Sequence, residues 1–129
     1  MNIVLDTDVI VAAFRSYTGA SRLILNQALY QKEHIITVSV PLLLEYESVL
    51  KRPQHQSVHQ LTDLEINEAI GFMASTANQQ AIYFLWRPQL QDIADEMVLE
   101  TAINGRAEAI VSFNQKHLRW LRNVLAYTA

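Results

Sequence analysis

The chain has 129 residues, half of them hydrophobic, the size of one ordinary domain with a sizeable core. It contains no cysteine, which excludes a disulfide framework or a thiolate metal cluster and leaves oxygen or imidazole as the only ligands for a metal. The formal charge of −3 exerts no global pull on nucleic acid, so any such binding has to rest on a local basic patch or on metal ions.

The N-terminus lacks the basic region, apolar core and small-residue cleavage site of a signal peptide. No apolar stretch approaches the roughly 20 residues that span a bilayer. These features, with the missing cysteines, point to the cytoplasm and to no membrane partner. There is no internal repeat, low-complexity segment or Gly/Ser-rich linker, and residues 1–129 read as a single domain.

In chain order, "NIVLD" (2–6) is an apolar run that ends in acid, and a second apolar run follows at once in "TDVIVAAF" (7–14). "ASRLILNQALY" (20–30) has Leu23, Ile24, Gln27 and Ala28 at helical spacing, with Ser21 as its N-cap. "HIITVS" (34–39) is β-branched and uninterrupted, as in a strand covered on both faces. Pro41 opens a helix over "PLLLEYESVLKR", since proline is tolerated in a first turn. "TDLEINEAIGFMASTA" (62–77) pairs Thr62 with Glu65 as a capping box, with Leu64, Ile66, Ala69, Ile70 and Met73 as apolar positions. "AIYFL" (81–85) predicts a strand, "DIADEMVLETAINGR" a helix ending near Gly105, "EAIVS" (108–112) a strand and "NQKHLRWLR" a short helix. Strands separated by helices imply parallel pairing and an α/β layered fold.

Ligands of such sheets bind where the carboxyl ends of the strands meet loops and helix N-termini. Sorted by that rule, Asp6 ends the first strand with Asp8 just beyond it, and Glu45 lies in the early turns of the helix after the second strand. Asp95 and Glu96 begin the helix before the last strand, which Ser112 and Asn114 follow directly. Clustered carboxylates repel one another, and a hard divalent cation such as Mg²⁺ or Mn²⁺ resolves that repulsion through oxygen ligands. Without the ion, replacing Asp6 by Asn is then expected to leave the fold intact or stabilise it. With it, such a site activates water and stabilises the charge that develops in phosphodiester cleavage.

"VLDTDVIVAAF", "GAS", "VPLLLEYESVLKRP", "DIADEMVLETAINGRAEAIVSFN" and "HL", in that order and spacing, resemble the PIN domain family, in particular its toxin branch in toxin–antitoxin systems. The resemblance covers nearly the whole chain. It implies a three-layer α/β/α fold with a central, mainly parallel sheet and metal-dependent cleavage of single-stranded RNA. It also implies a homodimer and an antitoxin protein that places a basic side chain against the acids. The family's acids fall on Asp6, Glu45 and either Glu96 or Asp95, and its strand-end Ser/Thr and following acid fall on Ser112 and Asn114. Family register favours Glu96 and helical phase favours Asp95. Asp8 replaces the usual Asn, Ser or Thr, adding either a metal ligand or a polar cap, and Asn114 lacks the usual charge.

Each of these residues also has a plain structural role open to it. Asp6 can cap the following helix, Glu45 can face solvent, Asp95 and Glu96 suit any helix first turn, and Ser112 and Asn114 can cap the last helix. Lys51, Arg52, His55 and His59 form one basic cluster, and Lys116, His117, Arg119 and Arg122, with Trp120 among them, form another. Both suit phosphates and solvated helix faces alike. Two other functions compete. A PIN scaffold can act as a protein-binding module, and "DTDVI" approaches the motif of aspartate-nucleophile phosphatases, with Asp6 as nucleophile and Asp8 as general acid.

Overall fold

The computed structural model describes residues 2–16, 18–30, 34–81 and 93–113, without the side chains of 93–96. Within them the chain runs β1 (Asn2–Leu5), α1 (Thr7–Arg15), α2 (Ala20–Leu29), β2 (Ile35–Val38), α3 (Val40–Leu50), α4 (Pro53–His59), α5 (Asp63–Thr76), β3 (Asn78–Gln79), α6 (Ile93–Asn104) and β4 (Ala109–Val111).

The strands form one sheet in the order β3-β2-β1-β4, and every pairing is parallel. Ile3 lies opposite Ile36 on one side and Ala109 on the other, so β1 is central. Successive strand residues point to opposite faces, and Ile3, Val4 and Leu5 are all buried, as are Ile36, Thr37 and Val38. Both faces are therefore covered. α6 packs on β1, β2 and β4, and α2 packs on β2, giving the expected layered α/β arrangement. No helix of the described residues is long and apolar enough to cross a membrane.

Helix ends follow local chemistry. Ser39 caps α3 by accepting the Leu42 N–H at 3.3 Å, with Pro41 in the first turn. Thr62 and Glu65 form the expected capping box of α5. α2 differs from expectation: Gly19 holds its N-cap position, and Ser21 is buried in the first turn, on the same face as Leu25 four residues on. Leu23 and Leu64 are exposed, because the inward face of α5 runs through Ile66, Ile70 and Met73 and that of α2 through Ser21 and Leu25. α4 has no buried residue and so no apolar period to betray it; Pro53 at its start is its only signal.

The strand expected over 81–85 falls, apart from Ala81, outside the described residues, and the strand found beside β2 is the two-residue β3. The short helix expected over "NQKHLRWLR" also lies outside them.

α6 ends near Gly105 as expected, but a positive φ is not the reason. Arg106 carries it, at φ 50°, whereas Gly105 is required for space. A Cβ on Gly105 would lie 2.7 Å from Thr37 Cγ2 and 3.0 Å from the Thr101 carbonyl. Asn2 ties this corner to the amino end of β1, donating from Nδ2 to the Gly105 carbonyl and accepting the Thr37 hydroxyl.

Candidate functional site

A strand order with β1 between β2 and β4 sends the chain one way from β1 and returns it on the other side. The crevice beyond the carboxyl ends of β1 and β4 is the topological switch point, where such sheets bind ligands. Asp6 and Ser112 occupy those two ends. The Asp6 N–H donates to the Val111 carbonyl at 2.9 Å, extending the ladder by one step, and the Ser112 hydroxyl donates to Asp6 Oδ2 at 2.5 Å.

Asp6 is also the N-cap of α1, its Oδ1 accepting the Thr7 N–H at 2.7 Å. The capping role is real and uses one oxygen; the other reaches across the switch point. A carboxylate only 6% exposed is stable here because it sits at a helix N-terminus and accepts hydrogen bonds from Thr7 and Ser112. Asp8, one residue into α1, accepts the Phe113 N–H at Oδ2 over 3.2 Å, so both aspartates of "DTD" hold the segment that leaves β4.

Glu45 lies half-buried in the second turn of α3. Among the described residues it makes no hydrogen bond or ion pair, whereas Glu47, half-buried like it, pairs with Lys51 at 2.6 Å. Its neighbour Tyr46 fixes how α3 approaches the site: the fully buried phenol donates to the Leu5 carbonyl, immediately before Asp6. Burial, and then the negative charge of Asp6, push the Tyr46 pKa well above its ordinary value, so this hydroxyl remains a neutral donor.

α6 reaches the same edge from the opposite end. Its last turn meets Asn2 at the amino end of β1, while Thr101 meets Ser39 at the carboxyl end of β2. Thr101 donates its proton to the Met97 carbonyl at 2.7 Å, so Ser39 is the donor in the 2.7 Å Ser39–Thr101 bond. The turn that carries Asp95 and Glu96 lies further along α6 on that side. Their side chains are not described, and the choice between them stays open, since Leu99 and Glu100, four residues on from each, are both buried. Asn114 lies outside the described residues.

The residues brought into contact are thus Asp6, Asp8, Ser112 and Phe113, with Tyr46 and Ser39 bracing the approach of α3. Among the described side chains no three His, Asp or Glu residues form a metal-binding group, and that set omits Asp95 and Glu96. The chemistry of the donors nevertheless suits a hard cation. They are carboxylates and hydroxyls only, and Thr7 Oγ1, beside Asp6, is buried with no hydrogen bond among the described residues.

Sequence reading missed Tyr46, Ser39, Thr101 and Glu100. Glu100 is 1% exposed on α6, and its signal was an acid inside the apolar run "MVLETA". Tyr46 gave none, since a tyrosine in an apolar helix reads as core.

His59 leaves the basic cluster assigned to it. Its Nδ1 accepts the Leu61 N–H at 3.0 Å and its Nε2 donates to the Leu50 carbonyl at 2.9 Å, so both ring nitrogens brace the end of α4. A separate groove of about 390 Å³ lies between α2 and α5, lined by Leu25, Tyr30, Leu61, Ala69 and Phe72, with the Tyr30 and Phe72 rings stacked at 5.7 Å. No residue of the switch point lines it.

Compared with protein families, the chain matches the PIN domain over residues 2–116. Neither the curated proteins nor the solved structures give a match. A family match spanning nearly all of the chain agrees with the parallel sheet and its acid-bearing switch point, and the chain belongs to the PIN domain family.

Proposed function

We propose that this PIN domain is a divalent-metal-dependent endoribonuclease that cleaves single-stranded RNA, acting as the toxin of a toxin–antitoxin pair in the cytoplasm. PIN domains are a nuclease-type fold and commonly metal-dependent ribonucleases, which supports the class of reaction. The observation that carries the reading is the bond from Ser112 to Asp6, which fixes a buried carboxylate across the switch point.

Asp6, Glu45 and the Asp95/Glu96 pair would hold Mg²⁺ or Mn²⁺, with Asn114 as a further catalytic residue and Asp8 and Ser112 in supporting roles. The ion, when bound, supplies charge neutralisation and activation of water. Thr7 N–H and Ser112 Oγ–H each engage one Asp6 oxygen, so the carboxylate is oriented from both sides. Asp8 holds the Phe113 amide and keeps the segment after β4 against α1. Tyr46 satisfies the Leu5 carbonyl with a group that stays uncharged, so no further anion is added beside Asp6. No side chain is needed as a covalent nucleophile for hydrolysis of this kind.

The reading brings a homodimer with it, and inhibition by an antitoxin segment that sets a basic side chain against the acids. Its test is cleavage of a mixed single-stranded RNA pool by purified protein, with product ends mapped. Cleavage that needs Mg²⁺ or Mn²⁺ and stops on Asp6→Asn is expected. RNA left intact under every metal condition, with the folded protein capturing a protein partner, would replace the nuclease by a binding scaffold.

A further inference from the structure

α4 brings an unforeseen residue into the basic cluster. Arg15, the last residue of α1, donates from Nη2 to His55 Nδ1 at 3.2 Å. A guanidinium has no acceptor, so Nδ1 accepts, the imidazole is neutral, and its proton sits on Nε2. Arg52, at the N-cap of α4, is exposed. Among the described residues no carboxylate forms a hydrogen bond or ion pair with Arg15, Arg52 or His55.

The other charges on the packed elements are engaged or distant. On α3, Glu47 is held by Lys51 and Glu45 lies in the second turn, away from the end that leads into α4; on α1, Asp8 sits at the opposite end, against Phe113. Beyond α4, Asp63 is held by Gln56 at 2.6 Å, and both nitrogens of His59 are bonded. Two guanidiniums and an imidazole N–H therefore share one surface with no carboxylate paired to them among the described residues. An anion resolves that arrangement as a cation resolves clustered carboxylates.

We propose that Arg15, Arg52 and His55 form a phosphate-binding site that grips the RNA backbone at the end of α1 opposite Asp6. This rests on the nuclease reading above and extends it to the path of the strand. α1 joins the two places directly: Asp6 caps its start and Arg15 ends it, about 13 Å apart at 1.5 Å per residue. A single-stranded site of about 4 nucleotides or more reaches both. A chain of net charge −3 whose reaction edge is acidic needs a cationic hold elsewhere to retain a polyanion. Burial first, and then the charges of Arg15, Arg52 and His59, hold the His55 pKa below its ordinary value, and a bound phosphate should raise it.

The test uses the whole wild-type chain in EDTA, a short fluorescent single-stranded RNA, and the double variant Arg15→Gln, Arg52→Gln beside a charge-matched control, Arg22→Gln, Arg106→Gln. The double variant should bind about tenfold more weakly at moderate salt, with a log-log salt slope shallower by about 1.4, while the control changes far less. Proton NMR of the His55 ring, assigned by its loss in His55→Gln, should show its titration moving to higher pH when RNA is added. Equal weakening in test and control, or a His55 titration that RNA leaves unmoved, overturns the proposal. A polyglutamate peptide that moves His55 as far as RNA does also overturns it, in favour of an acidic protein partner. Since binding is read without metal, failure of the nuclease reading is seen separately, as wild-type protein that shifts at His55 yet cleaves nothing when metal is restored.

Discussion

Ser112 and Asp6, 106 positions apart in sequence, are joined by a 2.5 Å hydrogen bond at the point where β1 and β4 end side by side. The bond has two separable consequences, one for stability and one for chemistry. Ser112→Ala removes a donor to a buried carboxylate, a loss of about 1–3 kcal/mol for a charged acceptor. Ser112→Thr keeps the hydroxyl and should restore most of it. Urea denaturation of the three proteins checks the order.

The same geometry reverses one expectation drawn from repulsion alone. In the metal-free protein the Asp6 carboxylate receives a helix N-terminal amide and a hydroxyl, so it is compensated before any ion arrives. Asp6→Asn keeps one carbonyl oxygen and an equally good cap but loses the charge and one acceptor. The metal-free melting temperature should fall by a few degrees, about 1 kcal/mol in stability, instead of rising. Differential scanning calorimetry in EDTA gives the sign.

Tyr46 predicts an alkaline limit. Its native pKa lies above the unfolded value near 10, so above that pH the unfolded chain gives up its proton first and binds fewer protons than the native state. The stability this group contributes is fully present below pH about 10 and is lost as the pH rises through the native pKa. Tyr46→Phe should cost about 1 kcal/mol at neutral pH, through loss of the Leu5 bond, and should flatten the decline above pH 10. Guanidinium titrations from pH 8 to 11, compared between the two proteins, read both effects.

Much of this fold is written as pattern. The uninterrupted β-branched run at 34–39 is a doubly covered strand, Thr62 with Glu65 is a capping box, and the acid ending "NIVLD" stands at the sheet's switch point. What escaped reading depends on tertiary contact. Leu23 and Leu64 have helical spacing like their neighbours, and only the packing partner decides that they face outward. The reach of Arg15 to His55 spans 40 positions, and the link from Ser39 to Thr101 spans 62, so no local window contains either. His59 read as a free basic residue because nothing in its sequence shows that two backbone groups use its ring.

The corner after α6 shows how spacing alone misleads about glycine. Gly105→Ala should destabilise by about 1–3 kcal/mol, because its Cβ meets the branched Thr37 side chain and the Thr101 carbonyl at once. Arg106→Gly should stabilise by up to about 1 kcal/mol, because the positive φ lies there. Thermal unfolding that ranked the two in the opposite order would place the strain at the wrong residue.

Metal dependence separates orientation from ligation. If Asp6 holds the ion and Ser112 only orients Asp6, the two substitutions affect different constants. Asp6→Asn should cost orders of magnitude in single-turnover cleavage at any Mg²⁺ concentration, since the charge that holds the ion is gone. Ser112→Ala should chiefly weaken metal binding, on the order of 10–100-fold as for other groups that support a metal ligand, and rising Mg²⁺ or Mn²⁺ should recover much of its rate. Binding of RNA without metal should stay nearly constant in both, because polyanion attraction rests on other residues. Isothermal calorimetry with Mn²⁺ and single-turnover cleavage across a metal titration measure the two constants independently. Full activity in excess EDTA, or Ser112→Ala behaving as Asp6→Asn does at saturating metal, would mean that the switch point does not use its carboxylate as a ligand.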